Sequence, residues 1–194
     1  IYNDNDCQDD CSQTIGDQVN EGTNKGYDTV RSTVSYTLGS NLEALELLGS
    51  AHLNGTGNSQ NNHLTGNIGN NLLDGKVGAD LLEGLAGDDT YRVDNIGDVI
   101  VEALGAGIDT VESSLSWLLA DNLENLTLTG SAKINATGNS LNNVLTGNSE
   151  ANIFKGGLGH DTYVVGTGDT VTENANEGND TIQSNITWTL GNHI

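Results

Sequence analysis

Two long repeats in this chain differ by the loss of one block of nine residues, and that deletion defines the unit from which the fold must be built. Asn41–Gly49 (NLEALELLG) returns as Asn122–Gly130 (NLENLTLTG), from 41 to 122, an offset of 81. The same offset carries Gly26–Val30 (GYDTV) onto Gly107–Val111 (GIDTV), but the next copy, Gly178–Ile182 (GNDTI), follows after only 71. The first copy reads Gly75–Glu83 and then Gly84–Arg92 where the second has only Gly156–Val164, and one further residue is lost just after it. A chain that drops nine residues in phase uses nine residues as a structural module, and self-similarity at a fixed period marks a repeat architecture.

Read in nines, the first copy has units starting at Gly57, Gly66, Gly75 and Gly84. Their sixth positions are Asn62, Asn71, Asp80 and Asp89, and their eighth positions Leu64, Leu73, Leu82 and Tyr91. Continuation in phase puts Asp98 sixth and Ile100 eighth. The second copy has units at Gly138, Gly147 and Gly156, with Asn143, Asn152 and Asp161 sixth and Leu145, Phe154 and Tyr163 eighth. The segments ending in Asp28-Thr29-Val30, Asp109-Thr110-Val111 and Asp180-Thr181-Ile182 fit the same frame. Residues seven to nine are expected as a short strand with the middle side chain inward and its neighbours outward.

The repeat decides how to read an unusual composition. Only 35% of the residues are apolar and 4% aromatic, with 26 glycines in 194 residues and no proline or methionine. Such numbers fit either disorder or a thin continuous core stacked along one axis, and the phased apolar eighth position selects the second. The net charge is -21, from 27 acidic against six basic residues, a field that repels nucleic acid and anionic membranes. No segment approaches the roughly 18 apolar residues of a membrane span, so membrane insertion is not expected. Residues 1–10 lack the basic and apolar regions of a signal peptide, so the chain either starts internally or leaves the cell by a route needing no N-terminal signal.

The unit pattern G-G-x-G-x-D-x-U-x, with U a large apolar residue, resembles the repeats-in-toxin (RTX), or haemolysin-type, calcium-binding nonapeptide. The unit at Gly156 matches at every fixed position except that Tyr163 fills the apolar slot. Longer segments, Ser35–Gly39 and Asn122–Gly130, resemble the spacers of large tandem RTX proteins, and the resemblance covers nearly the whole chain outside residues 3–14. It implies an all-β fold, a right-handed parallel β-roll or β-solenoid with Gly/Asp-rich calcium-binding turns. Two nonapeptides make one coil, so turns eighteen residues apart stack and hold a calcium between them. It also implies a secreted bacterial protein, extracellular or at the cell surface, exported by type I secretion.

The turn chemistry suits that ion. Calcium takes six to eight oxygens at about 2.3–2.6 Å from carboxylates and carbonyls, and glycines at positions one, two and four allow the positive φ that turns carbonyls inward. The implied stacking pairs Asn62 with Asp80, Asn71 with Asp89, Asp80 with Asp98 and Asn143 with Asp161. Asn152 would face Asp169, one place off frame, and Asp28, Asp109 and Asp180 are further candidates at coil edges. Asparagine offers an oxygen without charge, so pairs of Asn with Asp should bind more weakly than Asp80 with Asp98. The competing reading for each position is a residue that only satisfies its own turn.

The chain is expected to comprise a partial repeat (1–21), a first full repeat (22–102, nonapeptide block 57–101), a second (103–173, block 138–164) and the start of a third (174–194). Alternating triplets link the blocks: Val34, Tyr36, Leu38; Leu115, Trp117, Leu119; Ile186, Trp188, Leu190. Period two argues half-buried strands, with the aromatics stacked rather than displayed for sugar binding. Residues 3–14 are read as an acidic insertion, with Tyr2 as the counterpart of Tyr91. Its Cys7 and Cys11 lack a nearby histidine and make a poor zinc site; an oxidising exterior favours a Cys7–Cys11 disulfide, and pairing with another chain stays open.

No G-x-S-x-G, H-E-x-x-H or P-loop motif occurs, and His52, His63, His160 and His193 sit singly, so no enzymatic activity is expected of this segment. Two roles compete: a calcium-stiffened stalk, fibre or adhesin region, and a binding or secretion module attached to a lipase, protease or alginate epimerase. An alginate-binding face would gather cations, whereas Lys25, Arg31, Lys76, Arg92, Lys133 and Lys155 are scattered, which favours the stalk. The chain starts and stops inside repeats, so its expected partners are further repeats of the same protein or head-to-tail copies of itself.

Overall fold

A computed structural model describes residues 11–13, 19, 21–23 and 26–194. The described residues form no helix; their regular structure is short parallel strand joined by turns. The chain divides into two compact units, Ile1–Gly107 and Ile108–Ile194. The expected Cys7–Cys11 disulfide and the counterpart role of Tyr2 lie outside the described residues.

The first unit holds β1 (Cys11–Gln13), β2 (Thr29–Ser32), β3 (Tyr36–Thr37), β4 (Ala44–Leu47), β5 (Asn54–Thr56), β6 (His63–Thr65), β7 (Leu72–Asp74), β8 (Leu81–Glu83), β9 (Thr90–Val93) and β10 (Val99–Val101). One ladder runs β1-β2-β4-β6-β8-β10 and a second β9-β7-β5-β3, so from β2 onward consecutive strands alternate between two sheets as the chain coils. The second unit holds β11 (Thr110–Ser113), β12 (Trp117–Leu118), β13 (Asn125–Leu128), β14 (Ala136–Thr137), β15 (Val144–Thr146), β16 (Ile153–Lys155), β17 (Thr162–Val165), β18 (Thr170–Val171) and β19 (Thr181–Ser184). Its ladders run β19-β17-β15-β13-β11 and β12-β14-β16-β18. Residues 11–13, read from the sequence as part of the insertion, pair with β2 in register Cys11↔Val30.

Nonapeptide positions seven to nine are the strands, and position eight is the core. Leu64, Leu73, Leu82 and Tyr91 are fully buried in the first unit, as are Leu145, Phe154 and Tyr163 in the second. The ladder sets Leu64 against Leu82, Leu73 against Tyr91 and Leu145 against Tyr163, one coil of eighteen residues apart. Each inward side chain therefore stacks on its equivalent in the next coil, burying apolar area at about 25 cal/mol per Å². Phe154 meets Tyr163 edge to face, with centroids 6.1 Å apart.

The spacers enter the same ladders with different coil lengths. Val30 pairs with Leu45 and Leu45 with Leu64, and the second unit repeats this with Val111, Leu126 and Leu145. Ser32 and Ser113 are buried at the intervening corners, where each hydroxyl donates to the carbonyl two residues on, at 2.8 and 2.9 Å. Leu38 and Leu119 are buried, and Val34, Tyr36, Leu115 and Trp117 half-buried, so the aromatics pack along the sheet as expected; Ile186 and Leu190 are exposed.

Candidate calcium sites

Every pair expected from the stacking rule is brought together by one repeated hydrogen bond. The backbone N–H of Asn62 donates to Asp80 Oδ1 (2.7 Å), Asn71 to Asp89 (2.6 Å) and Asp80 to Asp98 (3.0 Å). In the second unit Asn143 donates to Asp161 and Asn152 to Asp169, both at 2.8 Å, and Asp161 to Asp180 at 2.9 Å. The sixth-position carboxylate thus reaches back across the coil gap and leaves its second oxygen to find another partner. For Asp80, Asp161 and Asp180 that Oδ2 is buried and has no hydrogen-bond partner. A buried, unsatisfied anionic oxygen is costly, and a cation is the group that removes the cost.

The glycines at position one frame this oxygen. A Cβ on Gly75 would collide with Asp80 Oδ2, and one on Gly156 with Asp161 Oδ2 and the Tyr163 hydroxyl. On Gly57 and Gly138 it would strike the sixth-position Asn oxygen of its own turn and the carbonyl of Gly75 or Gly156 one coil on. These glycines have no positive φ, contrary to the sequence expectation for position one; they are required by close approach of oxygens. Positive φ belongs to positions two and four, as in Gly157 (97°), Gly87 (114°) and Gly159 (120°), and also in Lys76 (64°) and Leu85 (79°), where a side chain occupies it.

Electrostatics concentrate at the aspartate turns. Burial pushes the Asp80 carboxyl up to about 6, opposed by the Asn62 N–H and reinforced by Asp98, Asp94 and Asp74. Asp161 is likewise pushed up to about 6 by burial, opposed by the Asn143 N–H, with Asp180 adding to the rise. Asp98 differs: its Oδ2 accepts the N–H groups of Asp94 and Asn95, both at 3.1 Å. Asp28 and Asp109 are buried, and their N–H groups donate to the spacer carboxylates of Glu43 (2.9 Å) and Glu124 (2.8 Å).

The asparagine turns are built otherwise. The side-chain amide of Asn62 donates to the carbonyls of Leu42 and Glu43, and that of Asn143 to Leu123 and Glu124. Asn71 and Asn152 donate in the same way to Leu53 and Ile134. Each of the four accepts, through Oδ1, the N–H of the residue four before it. A second asparagine at position two strengthens the plug: Asn58 donates to the carbonyls of Gly39 (2.7 Å) and Leu42 (2.8 Å). Toward the preceding coil, an –NH₂ group therefore stands where an aspartate turn would present oxygen alone.

Two acidic residues outside the nonapeptide frame were missed by the sequence reading. The Tyr91 hydroxyl donates to Glu102 and the Tyr163 hydroxyl to Glu173, both pairs buried. Burial pushes the Glu173 carboxyl up to about 7, opposed by the Gly156 N–H and reinforced by Asp180 and Asp161. The available signal was that both units with tyrosine in the apolar slot are followed by such a glutamate.

The fold and these turns define a parallel β-solenoid whose coil gaps are lined by carboxylate and carbonyl oxygens, a cation-binding repeat protein. Residues 56–91 and 137–171 match the RTX calcium-binding nonapeptide repeat, in four copies; these blocks are RTX repeats, and they bind calcium. The chain is also similar to the endo-1,3-1,4-beta-glycanase ExsH of Rhizobium meliloti (strain 1021), 40% identical over 62 residues, which is 32% of this chain and 13% of that protein. No solved structure matches. Calcium supplies, when bound, the positive charge that the stacked carboxylates lack. Asp80 and Asp161, each with an oxygen free, and the carbonyls beside Gly75 and Gly156 are suited to hold it.

Proposed function

We propose that this chain is a calcium-stiffened architectural segment of a secreted bacterial protein, a stretch of stalk, fibre or adhesin whose partners are further copies of the same repeats. The observation that carries this reading is the chain of bonds Asn62 to Asp80 to Asp98, in which one residue ties three successive coils, by its carboxylate on one side and its backbone N–H on the other, and keeps a buried oxygen for a cation. Such a residue couples ion binding to cohesion along the stack, because each coil contacts only its neighbours. Single-molecule pulling tests it: calcium should raise the force at which the coils open, and chelator should lower it. Equal forces in the two solutions would remove the mechanical role.

The partial likeness to a glycanase supports a second reading, in which the same repeats are attached to a secreted enzyme as a binding or export module. The sequence on either side of the segment in its gene separates the two.

A further inference from the structure

We propose that the turns at Gly57, Gly66, Gly138 and Gly147 take no calcium, because paired asparagine amides hold the place of the ion there. All four turns lie inside the matched repeats, 56–91 and 137–171, so membership of the family does not decide the matter. The two kinds of turn differ in backbone as well as in side chain. Where position six is aspartate, φ is positive at position two, in Lys76 (64°), Leu85 (79°) and Gly157 (97°). It is positive at position four as well, in Gly78 (156°), Gly87 (114°) and Gly159 (120°). Lys76 and Leu85 hold this conformation against the clash of their own Cβ, so the aspartate turn demands it. Where position six is asparagine, position two is Asn58, Asn67, Asn139 or Asn148, and none of them has positive φ. Gly69, the glycine at position four of one such turn, does not have it either. The inward rotation of carbonyls that a positive φ allows is therefore confined to the aspartate turns.

The asparagines complete the difference. Asn58 Nδ2 donates to the carbonyls of Gly39 (2.7 Å) and Leu42 (2.8 Å), and Asn139 Nδ2 to those of Ala120 (2.7 Å) and Leu123 (2.8 Å). Asn67 and Asn148 make the same two bonds, to carbonyls 19 and 16 residues earlier. At the other end each Oδ1 accepts an N–H of its own turn two residues on, at 2.8 or 2.9 Å. Both ends of the amide are thus committed, and reversing it would set oxygen against two carbonyl oxygens. The sixth-position amide adds its own nitrogen to the same gap, as Asn62 does toward Leu42 and Asn143 toward Leu123. Carbonyls that a calcium would draw on already accept N–H groups, and a hard cation takes oxygen ligands, not the positive end of an amide. The gap is closed by a neutral group that needs no ion.

This inference rests on the calcium reading of the aspartate turns, and the experiment separates the two. Calcium alone is titrated into the full chain by calorimetry, with bound ions counted by equilibrium dialysis. The turn at Gly66 already has Gly69 at position four, so Asn67→Gly with Asn71→Asp gives it the full G-G-x-G-x-D pattern. That double variant should bind one more ion than the wild type. An unchanged count would overturn the proposal and leave the aspartate turns standing. No uptake by the wild type would overturn the calcium reading, and the proposal with it. Should the double variant fail to fold in saturating calcium, Asn71→Ala in the otherwise wild-type chain serves. It should bind as many ions as the wild type, because the amide it removes is not a ligand; loss of an ion would overturn the proposal.

Discussion

Asp98 accepts the backbone N–H of Asp80 at 3.0 Å, while the carboxylate of Asp80 itself accepts the N–H of Asn62 at 2.7 Å. Asp80 is thus both the recipient from one coil and the donor to the next. Removing its carboxylate frees a buried N–H and deletes a calcium ligand at once. Asp80→Ala should therefore raise the calcium midpoint of folding more than Asn62→Ala or Asn143→Ala does. Equal shifts in circular-dichroism titrations would show that the coils are not coupled through Asp80.

Folding should depend on calcium. Buried carboxylates face one another across the coil gaps, and metal affinity is linked to folding free energy wherever the site exists only in the folded chain. Strand signal in millimolar calcium should give way to a disordered spectrum in chelator. A fully ordered spectrum in chelator would contradict this.

The pH dependence should have opposite signs with and without the ion. Asp80 and Asp161 sit at about 6 when folded, raised from an ordinary 3.8. A group whose folded value is raised contributes stability that is complete below its unfolded value and lost as pH rises through the folded one. In chelator, the strand signal absent near neutral pH should therefore return as pH falls from about 6 to about 4. In saturating calcium the urea midpoint should instead rise with pH over the same range, because protons compete with the ion for the carboxylates. A flat profile in chelator would mean that these side chains are not buried in the metal-free chain.

Asn143→Asp should convert a plugged turn into an ion-dependent one. The substitution removes the amide donors to Leu123 and Glu124 and sets a second carboxylate beside Asp161. Loss of those bonds should cost about 1–3 kcal/mol in calcium just sufficient for folding, most of it recovered in saturating calcium. Denaturant midpoints in the two solutions give the comparison; an equal loss in both would show that the amide is not acting as a substitute for a cation.

The two roles of glycine can be told apart by mutation. Gly138→Ala puts a methyl against Asn143 Oδ1 and the Gly156 carbonyl and should cost about 1–3 kcal/mol. Leu85 holds φ of 79°, so Leu85→Gly should stabilise by up to about 1 kcal/mol as left-handed strain is relieved. Thermal melts in saturating calcium measure both, and a stabilising Gly138→Ala would refute the crowding argument.

The coil was legible because its period and its chemistry coincide: nine residues return the same side-chain direction, and eighteen return the same sheet. Even the shortened step from Asn152 to Asp169 could be assigned, and the Asn152 N–H donates to Asp169 across it. What stayed hidden was orientation. An asparagine side chain carries a donor and an acceptor of nearly equal size, and nothing in the spacing tells which end faces the preceding coil. Tyr91 and Tyr163 were legible as core residues, but their hydroxyl partners lie in segments with no nonapeptide phase, so Glu102 and Glu173 had no frame to be read in. The crowding at Gly57 and Gly75 was equally invisible, because glycine for φ and glycine for space are the same letter.

The amide plugs partition the charge of the molecule. Within each nonapeptide block the asparagine turns come first and the aspartate turns after, so the stacked aspartates of a block begin against a neutral neighbour. Coulomb repulsion falls with separation, and a neutral turn sets one acidic group a full coil further from the next. Ion uptake then proceeds as a row of separate latches instead of one long fastener. Loss of a single calcium loosens the coils on either side of it and stops at the nearest asparagine.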